Sequence, residues 1–367
     1  MKILHFITSL RTGGAEQLMS DLLPRLRDAG NAVKLLLMDG THTPIYEQIE
    51  QMGIPIHSLG NGESAMHNPL LLLRLRRYLK ANAFEVLHAH NTPCQLLLAL
   101  ASDCCPTAKF VTTEHNTTNR RRTWRWYRPV DQWMYHHYSC IICVSTKAEE
   151  TLRTSLSNNF PADRICTVPN GVDTERFAHA LPNSELDERY AGKHLVLMAA
   201  AFRKQKDQPT LIRAMRWLPA DYQLLLAGEG ECLTACKELA KQTGVDDRTT
   251  FLGLRSDVPS LLKTAEVVVM SSHYEGLPLF AIEAMASGAP FVATDVDGLH
   301  EIASGAAIVF PHEDDRCLAE QIEKLCEDET SAREVAARCR ERAGLYGIER
   351  MVKGYLQVYE SLFKDSL

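Results

Sequence analysis

The chain has 367 residues and a formal net charge of −6, with 45% hydrophobic and 23% charged residues. These are ordinary values for a soluble globular protein, and the length predicts two domains with full hydrophobic cores. The acidic balance argues against general nucleic-acid binding, and no apolar run approaches the roughly 20 residues that cross a bilayer.

The 11 cysteines are scattered over the whole chain. Cys140 and Cys143 form a C-x-x-C pair, but they lie in an apolar, strand-like run, and no second pair follows at zinc spacing. We therefore expect free thiols in a reducing cytoplasm, with a structural metal as the alternative.

Short apolar strands alternate with helices in the first half of the chain, which predicts a parallel sheet with helical crossovers. Residues 2–7 are expected to form the first strand and not a signal peptide, because glycines follow before any cleavage-like sequence. Pro24 should kink or break the first helix. Further strands are predicted at 32–38, 54–57, 86–90, 109–113, 140–144 and 165–168.

Three histidines lie where two of these strands end, His88 and His90 on one and His115 after the next. In open α/β sheets, ligands bind at the carboxyl ends of the strands. A single histidine there is more often structural than catalytic. The gathering of three leaves both a structural and a functional role open.

Residues 119–128, NRRRTWRWYR, contain five arginines, two tryptophans and a tyrosine. This basic-aromatic segment suits a membrane interface or an anionic, partly apolar ligand. Single-stranded nucleic acid is disfavoured by the acidic balance elsewhere. The alternative is a salt-bridged helix start whose aromatic side chains belong to the core. The candidate acceptor or membrane contacts are Arg120, Arg121, Arg122, Trp124, Arg125 and Trp126.

The second half restarts the same alternation after a polar boundary that falls between about 169 and 192. The last helix, 348–363, has no strand after it, so we expect it to pack back on the first domain. The predicted domains are 1–170 with 346–367, and 171–345. Strands are predicted at 194–200, 222–227, 251–255, 267–270 and 291–293, followed by a helical region over 314–343.

Residues 267–295 are the most informative part of the second half, reading as strand, loop, short helix and strand. Pro278 suits the first helical position and Gly288 the end of the helix. The free N–H groups of the first turn favour a phosphate, and two carboxylates, Glu275 and Glu283, can accept hydrogen bonds from sugar hydroxyls. A diphosphate flanked by two sugars would use both parts. The alternative is a structural unit with two solvated glutamates.

A basic turn, 202–207, follows another strand of the same domain and contains Arg203, Lys204 and Lys206. The carboxyl ends of parallel strands share one edge of the sheet. We therefore expect these cations and the helix start near Glu275 to converge on one diphosphate.

An ordered set of motifs resembles the GT-B fold glycosyltransferases of the large retaining family 4, over nearly the whole chain. The resemblance implies two Rossmann-like domains that face each other across a cleft, with the C-terminal helix crossing back to the first domain. The C-terminal domain would hold a nucleotide-sugar donor and the N-terminal domain an acceptor. The motifs are Gly13-Gly14-Ala15-Glu16, His88-Ala89-His90, Thr113-Glu114-His115-Asn116, Pro169-Asn170-Gly171-Val172-Asp173, Gly228-Glu229-Gly230, Gly253-Leu254-Arg255 and the run from Glu275 to Glu283.

By this resemblance the candidate catalytic residues are His115, near the reacting sugar, Glu275, on the transferred sugar, and Lys206, on the diphosphate. Glu283 would bind the ribose, and Gly13 and Gly14 would approach the diphosphate from the other domain. The remaining donor contacts are Gly276, Leu277, Pro278, Leu279 and Phe280 on the diphosphate, and Gly253, Leu254 and Arg255 beside the base.

One position departs from the family pattern. Many relatives have an arginine five residues before the lysine, and here that residue is Ala201. Either Arg203 replaces it, or stabilisation of the leaving group rests more heavily on Lys206. The resemblance implies retention of anomeric configuration without a metal or cofactor, because cations and helix dipoles stabilise the leaving diphosphate.

The expected function is transfer of a hexose-type sugar from a nucleotide diphosphate sugar, with UDP favoured over GDP, to a saccharide or lipid-diphosphate acceptor. Bacterial surface-polysaccharide or glycolipid synthesis would be the setting. The expected location is the cytoplasm, with peripheral contact at the inner face of an anionic membrane. The alternatives are a hydrolysing sugar-nucleotide epimerase and a non-catalytic nucleotide-sugar sensor.

Overall fold

The computed structural model describes residues 1–11, 14–62, 68, 70–115, 127–156 and 160–364. The chain divides into two compact units: unit 1 is Met1–Gly171 with Ile348–Leu367, and unit 2 is Val172–Gly347. These bounds lie within two residues of the domain limits that the sequence predicts.

Unit 1 contains a parallel sheet in the order β3-β2-β1-β4-β5-β6-β7. Six α-helices among the described residues connect its strands. The strands are β1 Lys2–Ile7, β2 Ala32–Leu37, β3 Ile56–Ser58, β4 Val86–His90, β5 Lys109–Glu114, β6 Cys140–Cys143 and β7 Ile165–Thr167. The helices are α1 Gly14–Asp28, α2 Pro44–Gln51, α3 Leu71–Ala81, α4 Thr92–Leu100, α5 Arg128–His136 and α6 Thr146–Ser155.

Of the kink or break predicted at Pro24, the structure contradicts the break, because the helix α1 runs through this residue. A proline inside a helix costs about 3 kcal/mol, because it removes one hydrogen bond and crowds the preceding turn. Leu22, Leu23 and Leu26 are fully buried on the same helix. Each buried leucine contributes roughly 1.5–3 kcal/mol, so packing of this face outweighs the local cost.

Unit 2 contains a second parallel sheet, in the order β10-β9-β8-β11-β12-β13. Its strands are β8 His194–Ala199, β9 Tyr222–Ala227, β10 Thr249–Gly253, β11 Val267–Met270, β12 Phe291–Thr294 and β13 Ile308–Phe310. Its helices are α7 Thr174–Ala178, α8 Ser184–Arg189, α9 Gln208–Ala214, α10 Leu233–Thr243, α11 Val258–Thr264, α12 Leu279–Ser287, α13 Leu299–Ala303, α14 Asp315–Glu327 and α15 Glu329–Gly344.

The end of unit 2 differs from the sequence predictions in two ways. The edge strand β13 and the short helix α13 were not predicted. The helical region predicted over 314–343 is two helices, because Asp328 ends α14 and its carboxylate accepts hydrogen bonds from the first N–H groups of α15.

The helix α16 Ile348–Lys364 packs on unit 1, as predicted. Its side chains Met351, Tyr355 and Tyr359 are buried in the same core as the leucines of α1. Gly354 allows a close approach, because a Cβ there would lie 2.8 Å from a methyl group of Val168.

Helices cover both faces of the unit 1 sheet. The side chains of α3, α4, α5 and α6 share one core with one face of the sheet, and those of α1, α2 and α16 share a second core with the other. No helix among the described residues is both long and apolar enough to cross a membrane.

The strand order reverses at the first strand of each sheet, between β1 and β4 and between β8 and β11. Loops that leave neighbouring strands at such a switch point diverge to opposite faces, so a crevice opens at the carboxyl ends of the strands. The candidate residues of each unit follow these strands.

Candidate functional site

The turn that contains Lys206 is held between the ends of β8 and β11. Asp207 adopts a left-handed conformation with φ of 47° and caps α9, accepting hydrogen bonds from the N–H of Thr210 at 3.3 Å and its hydroxyl at 2.6 Å. The buried Ser271 hydroxyl, directly after β11, donates to the carbonyl of Asp207 at 2.8 Å. Lys206 therefore occupies a fixed place at the switch point of unit 2.

Lys206 and Glu275 form an ion pair in which the lysine Nζ lies 2.6 Å from the carboxylate Oε1. Their side chains are 20% and 6% exposed. Two further contacts join the loops: the Gln205 side chain donates to the Tyr274 carbonyl at 2.9 Å, and the His273 N–H donates to the Gln205 carbonyl at 2.8 Å. The structure thus brings together the basic turn and the Glu275 loop.

The Glu275 loop depends on a glycine that the sequence analysis did not identify. Gly298 has φ of +84°, and a Cβ there would lie 2.4 Å from the carbonyl oxygen of Glu275 and 2.6 Å from that of Gly276. The Glu275 N–H also donates to the Asp297 carbonyl at 3.2 Å. The Asp297-Gly298 dipeptide is a turn signal that can be found in the sequence. The contact between this turn and the Glu275 loop cannot be found there, because Asp297 lies 22 positions after Glu275.

The helix α12 begins at Leu279, with Pro278 as the extended residue before it and not, as predicted, the first helical residue. Pro278 makes no side-chain cap at this helix start. The N–H of Ala281 donates to the Pro278 carbonyl at 3.1 Å, so the N–H groups of Leu279 and Phe280 are the ones that face an anion. Gly288 ends the helix with φ of +91°, as predicted. Glu283 is half-buried, about one turn inside the helix.

The Gly228-Glu229-Gly230 turn packs against the backbone that leads into the basic turn. Cβ atoms at Gly228 and Gly230 would lie 2.1 Å and 2.4 Å from the carbonyl oxygens of Ala200 and Phe202. Both positions therefore require glycine. Arg203, which follows Phe202, is exposed and lines a cavity of about 460 Å³ together with Asp207 and residues of α10.

The predicted base-binding residues lie at the end of β10 and directly after it. Gly253 has φ of +67°, and its carbonyl accepts the N–H of Gly228 at 2.7 Å. Leu254 is 57% exposed. The guanidinium of Arg255 donates to both carboxylate oxygens of Asp257 at 2.7 and 2.6 Å, which lowers the pKa of Asp257. Arg255 therefore orders its own loop, and Leu254 offers an apolar surface.

In unit 1, three fully buried histidines extend from β1 and β4 towards the carboxyl edge of the sheet: His5, His88 and His90. Both ring nitrogens of His88 have partners, the Tyr359 hydroxyl at 2.6 Å and the Thr113 hydroxyl at 2.8 Å. A metal bound to this histidine would have to displace one of these groups. For His88, the structure supports the structural role that the sequence analysis left open.

His90 instead joins two other imidazoles. Its Nε2 lies 2.9 Å from Nδ1 of His5, and its Nδ1 lies 3.1 Å from Nε2 of His115. Burial lowers the pKa of His5 to about 3 and that of His115 to about 4, and it lowers the pKa of His90 well below its ordinary value. These imidazoles are neutral at pH 7. His115 follows directly on β5 and is partly exposed.

The structure places the remaining candidates as follows. Gly14 is the exposed first residue of α1. All 11 cysteines lie among the described residues, and none of them forms a disulfide there. Seven candidates lie outside the described residues: Gly13, Arg120, Arg121, Arg122, Trp124, Arg125 and Trp126.

Two sequence families match the chain and together cover most of it. "Glycosyltransferase Family 4" matches residues 12–176, and "Glycosyl transferases group 1" matches residues 184–344. The first lies in unit 1 apart from its last few residues, and the second lies entirely in unit 2.

Two characterised relatives resemble the chain. The phosphatidyl-myo-inositol mannosyltransferase of Mycolicibacterium smegmatis is 26% identical over 95% of this chain and 90% of its own length. The UDP-Gal:alpha-D-GlcNAc-diphosphoundecaprenol alpha-1,3-galactosyltransferase of Escherichia coli is 25% identical over 62% of each chain.

The fold also matches a solved structure. The crystal structure of Anabaena HepE in complex with UDP-glucose covers 98% of this chain and 100% of its own, with a TM-score of 0.86 and 20% identity. The two family matches, the shared fold and the ordered motifs agree. The chain therefore belongs to the family 4, or group 1, glycosyltransferases and adopts the GT-B fold.

Proposed function

We propose that this glycosyltransferase moves a hexose-type sugar, with retention of anomeric configuration, from a nucleotide diphosphate sugar to a saccharide or lipid-diphosphate acceptor. The observation that carries the proposal is the Lys206–Glu275 ion pair beside the uncapped start of α12. We favour a UDP sugar over a GDP sugar, because the Escherichia coli relative is named for UDP-Gal and HepE was crystallised with UDP-glucose.

The diphosphate binds at the first turn of α12, where backbone N–H groups and the helix dipole favour negative charge. Gly276 leaves room for its approach to the backbone. As the bond to the anomeric carbon lengthens, charge develops on the leaving diphosphate, and Lys206 and the helix start stabilise it. These groups supply the electrostatic stabilisation without a metal or cofactor.

Lys206 serves two partners at once. Its ammonium group has three N–H donors, so it can keep the Glu275 carboxylate at 2.6 Å and still donate to a phosphate oxygen. Glu275 then accepts hydrogen bonds from hydroxyls of the transferred sugar, and Glu283 accepts them from the ribose. The exposed Leu254 packs against the base.

Unit 1 binds the acceptor, and His115 hydrogen-bonds to a sugar at the carboxyl edge of the unit 1 sheet. The exposed face of α3 supports contact with an anionic membrane. Leu73, which is 54% exposed, lies on this face with the exposed cations Arg74, Arg77 and Lys80. Apolar and basic side chains on one helix face suit the interface of an anionic bilayer. The contact requires the basic-aromatic segment as well as α3.

The membrane contact is tested by cosedimentation with vesicles that contain anionic lipid. Replacing Arg120, Arg121 and Arg122 by glutamate should abolish binding. A matched control reverses three exposed arginines of unit 2, Arg316, Arg333 and Arg338, which changes the net charge equally. Binding that survives the first change, or that both changes weaken equally, would refute a specific contact through the segment.

The transfer reaction is tested by incubating the protein with UDP-glucose, UDP-galactose, UDP-N-acetylglucosamine and GDP-mannose, each with and without a lipid-diphosphate acceptor. We expect donor consumption that depends on the acceptor, and a product whose new glycosidic bond has the anomeric configuration of the donor by NMR. Consumption without an acceptor would indicate the hydrolysing epimerase, and inversion would contradict the retaining mechanism.

A further inference from the structure

Three imidazoles of unit 1 are hydrogen-bonded end to end, in the order His5, His90 and His115. The two nitrogen–nitrogen distances are 2.9 Å and 3.1 Å. We call this set the histidine chain. At its inner end, the Nε2 atom of His5 is buried and has no hydrogen-bond partner among the residues that the structure describes. At its outer end, His115 follows directly on β5, at the carboxyl edge of the sheet.

Each neutral imidazole has one N–H group and one acceptor nitrogen. Only two proton arrangements therefore preserve both hydrogen bonds of the histidine chain. In the first, every N–H points outward, so that His90 donates to Nε2 of His115 and His115 has its proton on Nδ1. In the second, every N–H points inward and the proton of His5 lies on Nε2.

The inward arrangement leaves the N–H of His5 buried without an acceptor. Orphaned buried N–H groups are rare in native proteins, whereas acceptors with an unused lone pair are better tolerated. The outward arrangement leaves only such an acceptor at His5. Burial also keeps the pKa of each of these histidines well below 6.5, so a third, protonated state does not compete at neutral pH.

We propose that His5 and His90 are positioning residues that hold His115 in its Nδ1–H tautomer, so that His115 presents a fixed hydrogen-bond donor at the edge of the unit 1 sheet. The complementary ligand atom is an acceptor, such as a hydroxyl or phosphate oxygen. That this atom belongs to the sugar substrate rests on the proposed function; the tautomer itself does not.

His88 provides a matched control, because it belongs to the same cluster but not to the histidine chain. Its ring stacks on His90 with a centroid distance of 4.3 Å. Both of its nitrogens are engaged by Tyr359 and Thr113. A change at this residue disturbs the packing around His90 while leaving the two hydrogen bonds of the chain in place.

The tautomer is measured on the full-length protein by long-range ¹⁵N–¹H NMR of ¹⁵N-labelled histidine, with the His115 signals assigned by their loss in His115→Gln. We expect Nδ1 of His115 to carry the proton between pH 6.5 and 8. His90→Leu removes the donor and should shift His115 to the Nε2–H form or to a mixture. His90→Asn should preserve the wild-type tautomer, because its amide nitrogen occupies the position of Nδ1.

His88→Gln should lower thermal stability and leave the His115 tautomer unchanged. The proposal is overturned if the wild-type protein holds the Nε2–H form, if His90→Leu leaves the tautomer unchanged, or if His88→Gln changes it as His90→Leu does. None of these measurements requires a substrate, so they remain decisive whether or not the protein transfers a sugar.

Activity gives the second measurement. With a donor that the enzyme uses, His90→Leu should lower kcat/KM about tenfold, the loss expected for roughly one hydrogen bond, and His90→Asn should recover most of it. Equal losses in His90→Leu, His90→Asn and His88→Gln would indicate a purely structural role for His90 and contradict the proposal.

Discussion

Lys206 and Glu275 come from loops 69 residues apart and meet at 2.6 Å. If Lys206 stabilises the leaving diphosphate, Lys206→Ala should lower kcat/KM at least 100-fold, on the order of 3 kcal/mol of transition-state stabilisation. Steady-state kinetics with a donor that the enzyme accepts measure this effect. Lys324→Ala, which changes an exposed lysine of α14 in the same unit, is the control and should stay near the wild-type value. A loss below threefold in Lys206→Ala would refute the role.

The same pair allows stability to be separated from catalysis. Lys206→Ala leaves the 6% exposed carboxylate of Glu275 without its counter-charge, which should lower the free energy of unfolding by about 2 kcal/mol. The double variant Lys206→Ala/Glu275→Gln removes both charges and should recover most of that stability. Urea unfolding measures both effects.

Activity should not return in the double variant. Recovery of activity together with stability would show that Lys206 acts only by balancing the charge of Glu275, and would contradict its place in the reaction.

At this scale, the sequence predicts which loops meet better than it predicts the contacts that hold them. The convergence of the basic turn with the Glu275 loop follows from strand ends that share one edge. The supports Ser271 and Gly298 give no comparable signal, because their contacts join segments distant in sequence. The two hydrogen bonds from Arg255 to Asp257 likewise depend on side-chain rotamers, which residue types alone do not specify.

Among the secondary-structure elements, the turn before α13 shapes the Glu275 loop. In Gly298→Ala the new Cβ would meet two backbone carbonyl oxygens of that loop, at 2.4 and 2.6 Å. Backbone cannot yield as a flexible side chain does, so the loop must move, and we expect the Kd for the donor or its nucleotide to rise at least tenfold. Isothermal titration calorimetry measures this change.

Gly305→Ala is the matched control. Gly305 also has a positive φ, +76° against +84° for Gly298, but the nearest atom to its added Cβ is a side-chain nitrogen of Arg342 at 3.9 Å. Alanine is strained at a positive φ, so both substitutions should destabilise the local backbone to a similar extent. Equal nucleotide affinities in the two would show that the contact with the Glu275 loop does not shape the site.

The element predictions succeed where hydrophobic patterns are long and fail where tertiary contacts decide. The strands β1, β4, β9 and β11 have the predicted bounds. The strand β13 has only three residues, too few for a periodic pattern. Pro24 predicts a break that burial of its neighbouring leucines overrides, and Asp328 divides a region whose apolar pattern continues on both sides.

Over the whole molecule, the two Rossmann-like units follow from the repeated alternation of strand and helix. The sequence also predicts that α16 returns to unit 1, and the structure confirms this. Which side chains α16 meets is not visible in the sequence. Its Tyr359 hydroxyl reaches His88 across 271 residues, which makes the final helix part of the buried histidine cluster.

That cluster predicts acid sensitivity. Burial lowers the folded-state pKa of His5, His88 and His90 far below the unfolded value of about 6.5. Below pH 6.5 the unfolded chain therefore binds protons that the folded chain does not. The free energy of unfolding is therefore highest above pH 6.5 and falls as the pH falls below it. Each of these histidines lowers it by about 1.4 kcal/mol between pH 7.5 and 5.5.

Urea unfolding at the two pH values, followed by tryptophan fluorescence, tests this sensitivity. Three of the four tryptophans, Trp124, Trp126 and Trp133, belong to unit 1, and Trp217→Phe removes the fourth. In that background His5→Phe should reduce the pH-dependent loss by about 1.4 kcal/mol. An unchanged loss would show that His5 does not remain neutral in the folded protein.

Binding of a nucleoside diphosphate at the Lys206–Glu275 site is the central claim, and a thermal-unfolding titration with UDP, GDP, ADP and CMP tests it most directly. We predict that UDP stabilises the wild-type protein, by about 2.7 kcal/mol at 100 times its Kd, and that Lys206→Ala loses most of this effect while Lys324→Ala keeps it. No stabilisation by any of the four nucleotides, or equal stabilisation of Lys206→Ala, would contradict the account.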